Sequence, residues 1–190
     1  WYGDDVRLPN EVIGRILRSP HHYARIHSID TSAAEAMPGV LAVATGDDAP
    51  KTFGVLPVTK DEHAMAVEKV RHVGDLVACV AAVDEATAME ALGAIVVDYE
   101  ELEPEFDPRK GLEDVDEPIH WRGKYHVGRT NVQKRVHQAF GDRSKIEHAA
   151  ASSRRAWRFE GVHHGFTEPH AVVAHWDANG RLQLYTPQQV

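Results

Sequence analysis

Cysteine is nearly missing from this sequence: Cys79 is the only one among 190 residues. An internal disulfide is thereby excluded, and so is a cysteine-held iron–sulfur cluster carried by this chain alone. Long apolar runs are missing too. The strongly apolar stretch Leu76 to Val83 is the longest, well short of the roughly 20 residues a membrane-crossing helix needs. No stripe of Lys and Arg with interleaved aromatics occurs, and 21 basic against 29 acidic residues leave a net charge of −8. The electrostatic footprint of a nucleic-acid binder is therefore absent. The sequence also lacks the dinucleotide-binding, phosphate-loop and nucleophile-elbow signatures. It opens at Trp1 without Met, a charged n-region or an apolar h-region. No secretory signal is visible, a front end trimmed or processed is expected, and with a single thiol the expected compartment is a reducing cytoplasm.

What is present is the composition of a packed protein, 43% hydrophobic and 7% aromatic, too apolar for a disordered tail. Val12 to Leu17 and Ala24 to Ile29 are rich in β-branched and aliphatic residues and predict strands. Asp30-Thr31-Ser32 offers N-caps, and Ser32 with Glu35 has the spacing of a capping box. Pro38-Gly39 stops that short helix, and Val40 to Ala44 is apolar on both faces, the pattern of a strand covered on two sides. The same syntax returns 54 residues later: a two-sided strand over Leu76 to Val83, a helix capped by Asp84 and ended by Gly93, and an alternating strand from Ile95 to Tyr99. Two strand–helix–strand units packed as a pseudo-symmetric pair are expected, an α/β (α+β) fold.

From Glu100 to Asp116 the composition turns acidic and proline-bearing, predicting a solvated connection with at most one helical turn near Gly111. Beyond it, Val132 to Phe140 and Arg155 to Val162 predict strands, and Arg143 to Ala151 a helix. Ala171 to Trp176 and Leu182 to Thr186 flank Asp177-Ala178-Asn179-Gly180, an Asn-Gly hairpin signal of the type I′ kind. The expected division is 1–107, a linker over 108–130, and 131–190.

Residues that could carry chemistry are few. His163, His164, Glu168 and His170 are the densest set of metal-ligand types. Their spacing follows no zinc motif, and Pro169 breaks any helix that would align them, so hydrogen-bonded histidines are the expectation and no metal site is assigned. His21 and His22 are adjacent and would point to opposite faces of a strand. Glu100, Glu101, Glu103 and Glu105 read as a solvated loop, because catalytic carboxylates need burial or a like-charged partner. Cys79 reads as a small buried hydrophobe. No catalytic residue is assigned.

Arg15-Ile16-Leu17-Arg18-Ser19-Pro20, Ala24-Arg25-Ile26, Ile29-Asp30-Thr31, Pro38-Gly39-Val40 and Thr45-Gly46 resemble the α/β-hammerhead domain of the xanthine dehydrogenase/aldehyde oxidase (molybdenum hydroxylase) family. Val73-Gly74-Asp75-Leu76-Val77-Ala78 and Val97-Asp98-Tyr99-Glu100-Glu101-Leu102 continue the likeness in order. Thr167-Glu168-Pro169-His170-Ala171, Ala174-His175-Trp176-Asp177, Gly180-Arg181-Leu182 and Thr186-Pro187-Gln188-Gln189 look like the opening of that family's molybdopterin-binding domain. Phe53-Gly54-Val55-Leu56-Pro57, with the stretch through Lys69-Val70-Arg71, looks most like the large (alpha) subunit of 4-hydroxybenzoyl-CoA reductase.

The resemblance implies a hammerhead domain over 1–107 and an incomplete molybdopterin-binding lobe over 131–190. It implies a molybdenum–molybdopterin cofactor, in the cytosine dinucleotide form, in the complete subunit. It also implies electron transfer through [2Fe–2S] and FAD on partner subunits, and a small aromatic, heteroaromatic or aldehyde substrate that is hydroxylated or reductively dehydroxylated. Gln189 matches the family glutamine whose amide approaches an oxygen ligand of molybdenum. The family's Gly-rich loop and base glutamate have no counterpart here, so a piece of a longer subunit, or one polypeptide of a split subunit, inactive alone, is expected. The rival expectation is a stand-alone α/β scaffold or binding module that uses the hammerhead for protein contacts and binds no cofactor.

Overall fold

The computed structural model describes residues 2–54, 60–120 and 128–188. Trp1–Glu11 together with Gln138–Val190 form one compact unit, and Val12–His137 form the other.

The Val12–His137 unit contains strands β1 (Ile13–Arg18), β2 (Ala24–Asp30), β3 (Val40–Thr45), β4 (Lys69–Val70), β5 (Leu76–Ala82) and β6 (Val96–Glu101), with helices α1 (Ser32–Glu35) and α2 (Glu85–Ala94). They build two antiparallel three-stranded sheets, in the orders β1-β5-β3 and β4-β2-β6. β5 is central and carries the two-sided apolar sequence: Val77, Ala78, Val80 and Ala82 are all buried. α2 turns Ala88 and Ala91, one helical turn apart, into the same core cluster as Ala78, Val80 and Ala82. Methyl side chains at these positions let helix and sheet backbones approach closely, so much of this core is backbone-near packing rather than large side chains. The second cluster, Ala24, Ala66, Val70 and Val77, sits where β5 meets the β2 sheet.

The recurrence of strand, helix and strand is present, and it is interlocked. The opening strand of each unit pairs with the closing strand of the other, β2 with β6 and β5 with β3. The symmetry is imperfect. Ile26 stands opposite Tyr99; their counterparts in the 54-residue repeat are Val80 and Thr45, yet Val80 stands opposite Val43. Bulges fall at different places, between Ile26 and Ser28 in one pair and between Val40 and Ala42 in the other, and widen the mismatch further along the strands.

Several local expectations are corrected. The capping box of Ser32 and Glu35 is not formed: Asp30 Oδ1 accepts from the Ser32 amide at 3.0 Å, and Glu35 instead accepts from the Thr31 hydroxyl at 2.6 Å. The Glu35 amide, which a Ser32 cap would have taken, donates to the Thr31 carbonyl at 2.9 Å instead. β3 is an edge strand, not one covered on two sides, and Leu41 is exposed.

In the other unit the regular elements are β7 (Val173–Trp176) and β8 (Leu182–Tyr185), an antiparallel hairpin. Its turn is not type I′. The Gly180 amide donates to Asp177 O at 3.0 Å, Gly180 has φ +73°, and Asn179 is not among the positive-φ residues. This is a type I turn followed by a left-handed glycine. The Asp177 carboxylate selects it by accepting from the amides of Asn179 (2.8 Å) and Arg181 (2.9 Å). The strands expected over 132–140 and 155–162 are absent, and the helix expected over 143–151 shrinks to a 3₁₀ turn, Arg143–Ile146. Phe140, Trp157, Phe159 and Val162 are exposed. Strand preference expresses itself only against a neighbouring strand and a covering layer, and no paired strand or covering layer meets these segments among the described residues.

Candidate functional site

The most connected polar constellation in the Val12–His137 unit gathers around Lys69 on β4. Its ammonium donates to Tyr23 Oη at 2.9 Å, to Glu117 Oε1 at 3.0 Å and to the Pro118 carbonyl at 3.3 Å, and it lies 5.2 Å from the centre of the Tyr23 ring. Only 11% of the Lys69 side chain is exposed. Tyr23 itself is buried, just ahead of β2. Glu117 is shared: its Oε2 accepts from Arg25 Nη2 at 2.6 Å. Arg25 also stands 3.3 Å from Glu100, and His27 Nε2 is 3.3 Å from the same carboxylate. Cations and carboxylates therefore alternate as Arg25, Glu117 and Lys69, with Glu100 joining Arg25 to His27. An open pocket of about 390 Å³ is lined by Lys69, Asp116, Glu117, Pro118 and Arg129, and one of about 350 Å³ by Arg25, Ile26, Val67, Glu68, Lys69 and Glu117. Cations and carboxylates are nearly balanced here, and most are engaged with one another. The arrangement orders chain: Lys69, Arg25, Glu117 and Glu100 are each engaged with a partner.

The acidic run is only partly a loop. Glu100 and Glu101 belong to β6, the first facing Arg25 and His27, the second 3.4 Å from His21 Nδ1. Strand pairing with β2 extends further than the composition shift suggested. In the connection, Asp107 is held down to about 2, chiefly by the Arg109 guanidinium that bonds its carboxylate at 2.6 Å. Cys79 is half-buried rather than fully buried, and burial pushes its thiol up, away from a reactive thiolate.

The histidine-rich segment does not converge. Glu168 Oε1 accepts from the Gly3 amide at 2.8 Å, His163 Nδ1 accepts from the Gly165 amide at 2.9 Å, and His164 stacks on Phe166 with centroids 5.2 Å apart. His170 Nδ1 lies 2.9 Å from Gln188 Nε2. Among the described residues no three His, Cys, Asp or Glu side chains group as a metal site, and no helix is long and apolar enough to cross a membrane. Gln189, the one residue assigned to a cofactor, lies outside the described residues, as do Val55, Leu56 and Pro57. Sequence reading missed the Lys69 constellation altogether. Its members come from four separate segments, and no spacing in the chain announces them.

Comparison with known proteins defines the class. The family described as aldehyde oxidase and xanthine dehydrogenase, a/b hammerhead domain, matches residues 1–103. The nicotinate dehydrogenase large molybdopterin subunit of Eubacterium barkeri is 32% identical over 99% of this chain and 43% of its own length. The carbon monoxide dehydrogenase large chain of Afipia carboxidovorans is 43% identical over 59% of this chain and 14% of its own. The crystal structure of quinoline 2-oxidoreductase from Pseudomonas putida 86 superposes with a TM-score of 0.79 at 29% identity, covering 99% of this chain and 24% of that one. This chain belongs to the aldehyde oxidase and xanthine dehydrogenase family, and it spans less than half the length of the relatives it matches.

Proposed function

We propose that this chain is the front part of the molybdenum-cofactor-binding large subunit of a multi-subunit, hydroxylase-type oxidoreductase. Residues 1–107 form the α/β-hammerhead domain, 108–130 a linker, and 131–190 the incomplete opening lobe of the molybdopterin-binding domain. The observation that carries this reading is the reach of the similarity: it does not stop at the hammerhead but runs through 99% of the chain, in both a relative and a solved structure. Exposure agrees with it. Phe140 (88%), Phe159 (87%) and Trp157 (75%) are side chains that a finished domain buries, and a two-stranded hairpin such as β7–β8 is marginal without further strands. The same exposure weighs against a self-sufficient scaffold module.

The partners in this reading are the remainder of the large subunit, an iron–sulfur subunit holding [2Fe–2S] and a subunit holding FAD. When bound, a molybdenum–molybdopterin in its cytosine dinucleotide form supplies the two-electron redox chemistry. This chain contributes Gln189 as an amide facing it. The substrate is a small aromatic, heteroaromatic or aldehyde compound, with a 4-hydroxybenzoyl-CoA-like thioester as the finer proposal. The test is metal analysis and a visible spectrum of the native complex purified through this chain. Co-purifying molybdenum with iron–sulfur absorption is expected; a homogeneous preparation of this chain with neither overturns the reading.

A further inference from the structure

We propose that residues 113–120 are a strap that lifts from the β4-β2-β6 sheet as a unit while both sheets stay folded, with Glu117 as its fastening. Four consecutive residues are held by polar contacts, and Pro118 among them is buried as well. Glu117 bridges Arg25 and Lys69 at 2.6 and 3.0 Å. The Pro118 carbonyl accepts from Tyr23 Oη at 3.4 Å and Lys69 Nζ at 3.3 Å. The Ile119 carbonyl accepts from Arg71 Nε at 3.0 Å, and the Ile119 amide donates to Asn131 Oδ1 at 2.9 Å. His120 Nδ1 lies 3.0 Å from Asp61 Oδ2.

What is missing from this attachment defines its character. Among the described residues, no backbone–backbone hydrogen bond joins 113–120 to β2, β4 or β6; the Val115 amide turns instead to Arg129 O at 2.7 Å. None of these residues belongs to either apolar core cluster. A segment tied by side-chain hydrogen bonds and ion pairs, with Pro118 its one buried residue, opens without breaking a sheet ladder or dismantling either apolar cluster, which is the condition for a local opening below the global unfolding free energy. Pockets of about 390 and 350 Å³ are both already lined by Lys69 and Glu117. Lifting the strap merges them into one groove and uncovers the Lys69 ammonium and the Tyr23 hydroxyl.

Hydrogen exchange on the 190-residue chain, followed by mass spectrometry together with acylation of Lys69, tests this directly. Peptides covering 113–120 are expected to exchange faster than those covering β5. Glu117→Gln should speed the strap by about tenfold, the scale of losing charge-assisted bonds at a partly exposed site. Lys69 acylation should rise in parallel while β5 is unchanged. Raising sodium chloride to about 1 M should speed the strap of the wild-type chain, because it screens these pairs. This arm needs no variant, so it decides the matter if Glu117→Gln unfolds the chain. Strap and β5 exchanging at one rate, or a strap indifferent to salt and to Glu117→Gln in a folded chain, overturns the proposal.

Discussion

Gly46 is packed directly against the backbone at Ala66: a Cβ on Gly46 would stand 2.7 Å from the Ala66 carbonyl oxygen and 2.8 Å from that of Met65. Atoms this close cannot be accommodated by a side-chain adjustment, because the obstacle is main chain. The Ala66 amide in turn donates to Leu76 O at 2.7 Å, so displacing it disturbs the entry to β5. Gly46→Ala is expected to destabilise the chain by about 2–3 kcal/mol, the upper range of overpacking. Gly14, on β1, has nothing within 4 Å of where a methyl group would sit, and Gly14→Ala should be neutral or stabilise by up to ~1 kcal/mol through reduced unfolded-chain entropy. Urea unfolding of the two variants side by side checks the contrast. Equal effects would mean that the close approach at Gly46 is not what requires glycine.

Asp84 starts α2 by accepting from the Thr87 amide at 2.8 Å. That bond is the main cause holding its carboxyl below the ordinary range, with the Thr87 hydroxyl second. Because the folded value is lowered, the folded chain binds this proton less tightly than the unfolded chain. The stabilisation is complete above the unfolded value of about 3.9 and is lost as pH falls through the folded one. Asp84→Ala is expected to lower the melting temperature by a few degrees at neutral pH. The deficit should shrink as the pH is brought below about 4, where the wild-type cap is itself being neutralised. A deficit that stays constant down to the acid limit would show that the cap's charge contributes nothing.

The β7–β8 turn separates two readings of Asn179-Gly180. In a type I′ turn Asn179 would need positive φ; here only Gly180 has it, at +73°. Asn179→Ala should therefore leave the hairpin intact, and Gly180→Ala should cost about 1–2 kcal/mol of hairpin stability because an L-residue is forced left-handed. Asp177→Ala should also loosen the turn by removing the acceptor for two amides. Cross-strand NOEs between Ala174 and Leu184 report the outcome. Loss of those contacts in Asn179→Ala would restore the type I′ assignment.

Legibility in the sequence tracked the distance over which each feature is decided. β1, β2, β5 and the start of α2 could be read because their patterns are local: a two-sided apolar run over Leu76–Ala82 and an Asp at the N-cap, whereas Gly93, read as the end of the helix, lies inside it. The 54-residue recurrence could be read for the same reason, though not the exchange of strands between sheets, which depends on pairing across the repeat. Leu41 read as buried because an edge and a centre of a sheet share one pattern. In the 138–190 unit, β-rich sequence such as Arg155 to Val162 stayed irregular, since its strand preference has no pairing partner to act on. Lys69, Tyr23 and Glu117 have no individual signature; only the fold brings them together. Family likeness reached further than pattern, because it drew on the order of many weak matches along the whole chain.

Gln189 owes its assignment to the family likeness and to one physical argument. An amide facing a group whose charge changes during a redox cycle stabilises the more negative state most, and a preorganised donor does so without reorganisation. In the assembled enzyme, Gln189→Ala is expected to lower turnover by about 10²–10³, the typical loss for one such donor in a water-poor site. Molybdenum and iron–sulfur content should be unchanged, since the expected role is in turnover rather than in assembly. Gln188 is the internal control. Its Nε2 lies 2.9 Å from His170 Nδ1, so its amide is already committed to the chain. Gln188→Ala should therefore be the milder variant in turnover, while loosening the contact with His170. Turnover equal to wild type for Gln189→Ala at equal molybdenum loading removes Gln189 from the site. A larger loss for Gln188→Ala than for Gln189→Ala shifts the assignment by one residue, and with it the register in which this chain meets the cofactor.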